Sequence, residues 1–148
     1  MIFTHFILRA ALVTTVALAP HALLASASGT GPKQIRSLAD LPTERSGISN
    51  IETGRVDLPE DFGGGGRRTL RMRKVTIAPG GVLPMHSHQD RPSVSYVLSG
   101  TLTEFLAGDD LPHSFTAGQS NSSFRRDHAL VNNDAEPVVF LEVDIPTN

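Results

Sequence analysis

His86 and His88 stand two residues apart at the end of an extended-chain stretch, Val82 to His86. Along a strand, successive side chains alternate between faces, so both imidazoles share one face and can reach a single ion from a rigid backbone. Imidazole nitrogens suit borderline first-row dications such as zinc, iron, nickel, copper or manganese. Taken alone, the spacing is equally compatible with two solvent-exposed histidines. The chain holds six histidines, and two of them, His5 and His21, fall in an N-terminal segment that reads as a leader. His113 and His128 are then the other imidazoles available to complete a site. Cysteine is absent, which excludes thiolate ligands, a thiol nucleophile and disulfide support.

The elements that must position these residues emerge on both sides of them. In the leader, Arg9 precedes an apolar run from Ala10 to Leu24 that ends in Ala25-Ser26-Ala27. That is the pattern of a secretory signal peptide over residues 1–27, and it predicts a secreted or periplasmic protein. Pro20 and His21 interrupt the run, so it falls short of the ~20 apolar residues of a membrane span, and no membrane association is expected after cleavage. Residues 28–66 are rich in Gly, Pro, Ser and charge, with short apolar pieces around Ile35, Leu38, Ile48 and Val56. They predict a loop-rich arm holding one or two short strands. The run Gly63 to Gly66 lacks the Gly-Lys-Ser/Thr of a phosphate cradle and reads as a loop.

Residues 67–148 have the texture of a single all-β domain. Runs suited to strands cover Thr69 to Ile77, Val82 to His86, Val94 to Ser99, Thr101 to Ala107, Leu111 to Thr116 and Val138 to Ile145. Turn residues at Pro79-Gly80-Gly81, Ser99-Gly100, Gly108-Asp109-Asp110 and Asn132-Asn133-Asp134 are expected to close hairpins or corners. In the last run Val139, Leu141, Val143 and Ile145 share one face, with Glu142 and Asp144 on the other. A sandwich or barrel follows. The formal net charge of −2 at pH 7, a single tyrosine and no tryptophan argue against a nucleic-acid partner.

Gly80 lies six residues before His86, and the segment after His88 runs on through Ser93 to Gly100. The stretch from Gly80 to Gly100 resembles the first cupin motif, in which a glycine, His-x-His, a glutamate and a second glycine follow in that order. Gly118 through Asn132 resembles the second motif, with His128 in the place of its histidine. The resemblance implies a single-domain cupin double-stranded β-helix, a jelly-roll-like barrel. It also implies one divalent metal ion inside, held by His86, His88 and His128. Two departures stand out: Ser93 occupies the place of the motif's glutamate, and Thr116 that of the second motif's proline. A dication on three neutral imidazoles keeps its full charge and an open coordination position for water or a small-molecule ligand.

Around this set, Arg91 is the candidate to orient an anionic substrate, against a structural role in which it pairs with a nearby acid. Ser93 and Ser95 are expected to leave room for a ligand, and Asn132 to act as a turn former. His113 reads as a partly buried structural residue, Tyr96 as packing between sheets, and Glu104 as a surface residue unless its strand crosses the site. The first functional expectation is a metal-dependent oxidoreductase of the dioxygenase type acting on a small chelating substrate. The alternatives are a non-catalytic small-ligand-binding barrel and a redox-neutral metal-dependent isomerase, decarboxylase or hydrolase. A homodimer is expected, with the arm from Gln34 to Val56 laid on the partner's sheet.

Overall fold

The computed structural model describes residues 31–62 and 66–146, so the signal-peptide reading lies outside the described residues. Eight strands follow one short 3-10 turn, Leu38–Asp40, among these residues. They are β1 (Ser46–Leu58), β2 (Arg68–Ser87), β3 (Ser93–Ser99), β4 (Thr101–Leu106), β5 (His113–Thr116), β6 (Ser120–Ser123), β7 (Asp127–Val131) and β8 (Val138–Asp144). All pair antiparallel in the order β5-β4-β7-β2-β8-β3-β6, with β1 added on β2. The sheet curls into a nearly closed barrel, as expected.

The long strand β2 organises the barrel. Two expected strands are one, and Pro79-Gly80-Gly81 is a corner within it rather than a hairpin turn. Up to Ile77, β2 pairs with β8; from Val82 it pairs with β7. A strand that passes from one half of a curled sheet to the other must bend, and these residues let it do so. Gly80 has φ +69°, and a Cβ on Gly81 would fall 2.7 Å from the Ile77 Cγ2. Asn132 clamps the bend: its buried amide donates to the Ile77 carbonyl at 2.9 Å and to the Glu136 carbonyl at 2.8 Å. Its role is thus structural, beyond that of a simple turn former.

The alternation expected in β8 is present, but its buried face is the charged one. Val138, Phe140, Glu142 and Asp144 point inward, while Val139, Leu141 and Val143 lie half-buried on the outer face. Register explains the inversion, because Arg71 stands opposite Asp144 and Arg73 opposite Glu142 on β2. Arg71 grips Asp144 through Nε at 3.0 Å and NH2 at 2.7 Å, and Arg73 donates to Glu142 Oε2 at 2.6 Å. Buried carboxylates are tolerable only when paired and hydrogen-bonded in this way. Below these pairs Val75, Ile77, Val97, Leu102, Leu130, Val138 and Phe140 form the apolar floor.

The arm is more ordered than its composition suggests. β1 runs for thirteen residues along β2 of its own chain, so this part of the arm is used within the chain. Upstream, Ile35 packs with Val82, Phe105, Ala129 and Val131 on the outside of the barrel, and Leu41 closes over them. Asn133 holds that segment on both sides of one residue, accepting from the Ile35 N–H and donating to the Ile35 carbonyl, each at 2.9 Å. Strand β4 is therefore covered on both faces, and four consecutive residues from Leu102 to Phe105 are buried.

Gly100, at the β3–β4 turn, has φ +77°, and a Cβ there would lie 2.8 Å from the Pro137 carbonyl oxygen. Gly118 has φ +89° with open space around it. Urea denaturation should show Gly118→Ala losing the ~1–3 kcal/mol of a left-handed non-glycine residue. Gly100→Ala should lose clearly more, and equal losses would contradict the close approach.

Candidate metal centre

His86 sits on β2 directly opposite His128 on β7, and His88 follows just past the end of β2. The chain around His88 is tied to the segment before β7 by two backbone bonds, His88 N–H to the Arg126 carbonyl and Arg125 N–H to the His88 carbonyl, both at 2.9 Å. The strand pairing thus continues beyond β2 and turns His88 inward, where it is fully buried. The three rings lie with centroids 4.5–5.1 Å apart.

Each ring has its Nδ1 engaged by an oxygen that can only accept. His86 Nδ1 donates to the Pro84 carbonyl at 3.0 Å, His88 Nδ1 to the Arg91 carbonyl at 2.7 Å, and His128 Nδ1 to Glu104 Oε1 at 2.5 Å. These partners place the proton on Nδ1 and leave the Nε2 lone pair unprotonated in the neutral ring. The Nε2 atoms nevertheless face one another: His86 Nε2 lies 3.2 Å from that of His88 and 3.1 Å from that of His128. Between the neutral rings of His86 and His88 this sets lone pair near lone pair, an arrangement that a cation between them relieves. Burial, the largest cause, holds the His86 and His88 pKa values down to about 4, with the neighbouring cationic groups adding to it. Both rings are therefore neutral near pH 7 and present the form that ligates metal.

The donor set fits a first-row dication. Two nitrogens each ~2.0–2.1 Å from one ion are separated by roughly 2.9–3.4 Å for coordination angles between square and tetrahedral. The spacings of 3.1 and 3.2 Å about His86 Nε2 fall in that range. All three ligating atoms lie within 4.8 Å of one another. The structure thus brings His86, His88 and His128 together as the spacing and the resemblance implied.

Arg91 takes a place that serves both readings offered for it. Its NH2 donates to His88 Nε2 at 2.7 Å, and its NH1 lies 3.5 Å from Asp144 Oδ2. The lone pair that His88 offers to Arg91 is the one an ion would use, so metal binding and this bond exclude each other. Ser93 and Ser95 line the cavity as expected, and Ser93 Oγ lies 3.2 Å from His88 Nδ1. The cavity has a volume of about 200 Å³ and also touches Arg45, Arg73, Asn121, Glu142 and the apolar floor.

Several expectations need correction. Glu104 is buried rather than on the surface, because the docked arm covers the outside of β4 while Glu104 faces inward with Leu102. It stands behind His128 on the Nδ1 side, so it orients a ligand rather than replacing the missing carboxylate. His113 is exposed and pairs with Asp109 at 2.8 Å instead of being partly buried. Tyr96 shares the outer face of β3 with Val94 and Leu98 and is 46% exposed, so it does not pack between sheets. Sequence reasoning missed Arg73, Glu142 and Asn121 as cavity residues. Only the register of β2 against β8, and of β6 against β3, brings them there.

With that geometry in view, the family model for the cupin domain matches residues 73–144. Residues 73–144 are a cupin domain. KdgF from a Halomonas species superposes with a TM-score of 0.52 at 18% identity, over 69% of this chain and 81% of that one. The Cupin_2 domain of an XRE family transcriptional regulator from Enterobacter cloacae gives 0.51 at 16% identity, over 70% and 100%. A cupin domain from Bordetella pertussis Tohama I gives 0.51 at 18%, over 72% and 100%. At such identities the likeness is one of fold. Comparison with curated proteins finds no match.

In this cupin, two outcomes follow from the ring environments. Removing the carboxylate behind His128 by Glu104→Ala should weaken zinc binding about 10–100-fold, read by competition with a chelating indicator; unchanged affinity would contradict its orienting role. For the metal-free protein, unfolding returns His86 and His88 to the ordinary value of 6.5 from about 4. The unfolded chain then binds more protons across that window, so the stability from the neutral rings is fully present above pH 6.5 and is lost as pH falls through about 4. Denaturation midpoints in chelator should fall with pH across this range, and the fall should shrink in a His86→Gln, His88→Gln variant.

Proposed function

We propose that this cupin is a metal-dependent oxidoreductase of the dioxygenase type, acting outside the cytoplasm on a small chelating substrate. The observation that carries the reading is the convergence of the His86, His88 and His128 Nε2 atoms beside a lined cavity. His86, His88 and His128 would hold one divalent ion, and Glu104 and two backbone carbonyls fix their rings. When bound, iron, copper or manganese supplies Lewis acidity and one-electron chemistry with dioxygen. Arg91 exchanges its bond to His88 for the anionic end of the substrate, and the apolar floor limits the water beside it.

Proton-transfer chemistry fits the cavity less well. Among the described residues that line it, the one carboxylate, Glu142, is committed to Arg73 at 2.6 Å, and the three histidines are ligand candidates. A redox-neutral isomerase or hydrolase would need a group free to carry a proton. A dioxygenase places both oxygen atoms in its product, so its reaction balances without an external reductant.

Elemental analysis of protein purified without chelator or nickel resin should find about one iron, copper or manganese ion per chain, and none in a His86→Ala, His88→Ala, His128→Ala variant. The loaded protein should consume oxygen with one or more chelating enols, phenols or thiols. A redox-inert metal and no oxygen uptake with any of them would overturn the oxidoreductase reading and leave the ion as an anchor for ligand binding.

A further inference from the structure

Two buried side-chain atoms lack a protein partner among the described residues: Arg73 Nε, a donor, and Asn121 Oδ1, an acceptor. Both residues line the cavity beside the three histidines. Native interiors rarely leave such groups unmet, because desolvation without a partner is costly. Neither atom is left over through an ambiguous assignment. Glu104 Oε1 can only accept, and Asn121 Nδ2 donates to it at 3.1 Å, which fixes the amide orientation and leaves Oδ1 as the unused atom. The far end of Arg73 is held through NH2 by Glu142 at 2.6 Å and Asp144 at 3.4 Å, which leaves Nε–H unused.

Charge and size narrow what can meet these atoms. Arg45, Arg73 and Arg91 line the cavity, and the carboxylates that pair with Arg73 and Arg91, Glu142 and Asp144, leave one positive charge over, so an anion is favoured even before any cation is bound. The volume of about 200 Å³ is below the ~300–1,000 Å³ of pockets for drug-sized ligands. Ile48, Val75, Leu83, Leu130 and Phe140 supply an apolar wall for a short carbon skeleton.

Resting on the metal-centre reading above, we infer that the ligand is a small hydroxycarboxylic acid, with its carboxylate against the arginines and a hydroxyl group donating to Asn121 Oδ1. A simple carboxylic acid leaves Asn121 Oδ1 unmet, and a neutral polyol brings no negative charge to the arginine-lined side of the cavity.

Cobalt(II) is the probe, because its visible spectrum reports metal loading and ligand binding separately. Lactate and 3-hydroxybutyrate are titrated into the cobalt-loaded full chain beside their matched deoxy acids, propionate and butyrate, and beside lactamide and 3-hydroxybutyramide. At least one hydroxy acid should bind about tenfold or more tightly than both its deoxy acid and its amide. In Asn121→Ala the advantage over the deoxy acid should collapse while the advantage over the amide persists; a hydroxyl held by the metal alone would keep both, and would overturn the assignment. Arg45→Gln alters an exposed residue and should narrow the gap between acid and amide even if Asn121→Ala fails to load cobalt. A cobalt spectrum with no preference among the ligands overturns the hydroxy-acid inference alone. No cobalt spectrum in the parent overturns the metal reading and this inference with it.

Discussion

Three imidazole Nε2 atoms held within reach of one point are the constraint around which the barrel is arranged. Free to rotate, the His86 and His128 rings would turn so that each Nε2 found a donor or water, as His88 Nε2 finds one in Arg91. Here the Pro84 and Arg91 carbonyls and the Glu104 carboxylate hold every Nδ1–H from behind. That grip is possible because His86 and His128 are cross-strand partners and because the pairing continues past β2 to His88. The convergence is therefore built from backbone register rather than from flexible side chains, which is what a site needs to select geometry in its ion.

The same register fills the barrel's interior with charge. Arg71 and Arg73 on β2 meet Asp144 and Glu142 on β8, and Arg91 leans on the same Asp144. Buried ion pairs of this kind add little net stability over a well-packed apolar core, since their attraction is offset by desolvation. Their placement beside the histidines gives them another consequence: a polar, cationic wall that a hydrophobic barrel would not offer to an anionic ligand. The apolar floor and the docked arm on the outside supply the stability that this interior does not.

The fold class and the His86–His88 pair were legible because both depend on local pattern, whereas His128 joined them only through the resemblance to the second cupin motif. Short extended runs between turn residues announce an all-β domain, and His-x-His on a strand places two rings on one face. What stayed hidden depends on register and coverage. The alternation of β8 was visible, yet only its pairing with Arg71 and Arg73 makes the acidic face the inner one. Strand β4 showed no alternation because both its faces are buried, so nothing local marked Glu104 as interior. Pro79-Gly80-Gly81 looks like a turn in one dimension, whereas a strand shared by the two halves of a barrel uses the same residues to bend. The polar composition of the arm concealed β1, whose partner is supplied by β2 rather than by its own apolar pattern.

X-ray absorption at the edge of the bound metal tests the central claim most directly. The coordination shell should contain three imidazole nitrogens at about 2.0–2.1 Å, with the outer-shell scattering of intact rings, and should lose this signature when His128 is replaced by alanine. A shell of oxygen scatterers alone, or a spectrum unchanged by His128→Ala, would contradict it.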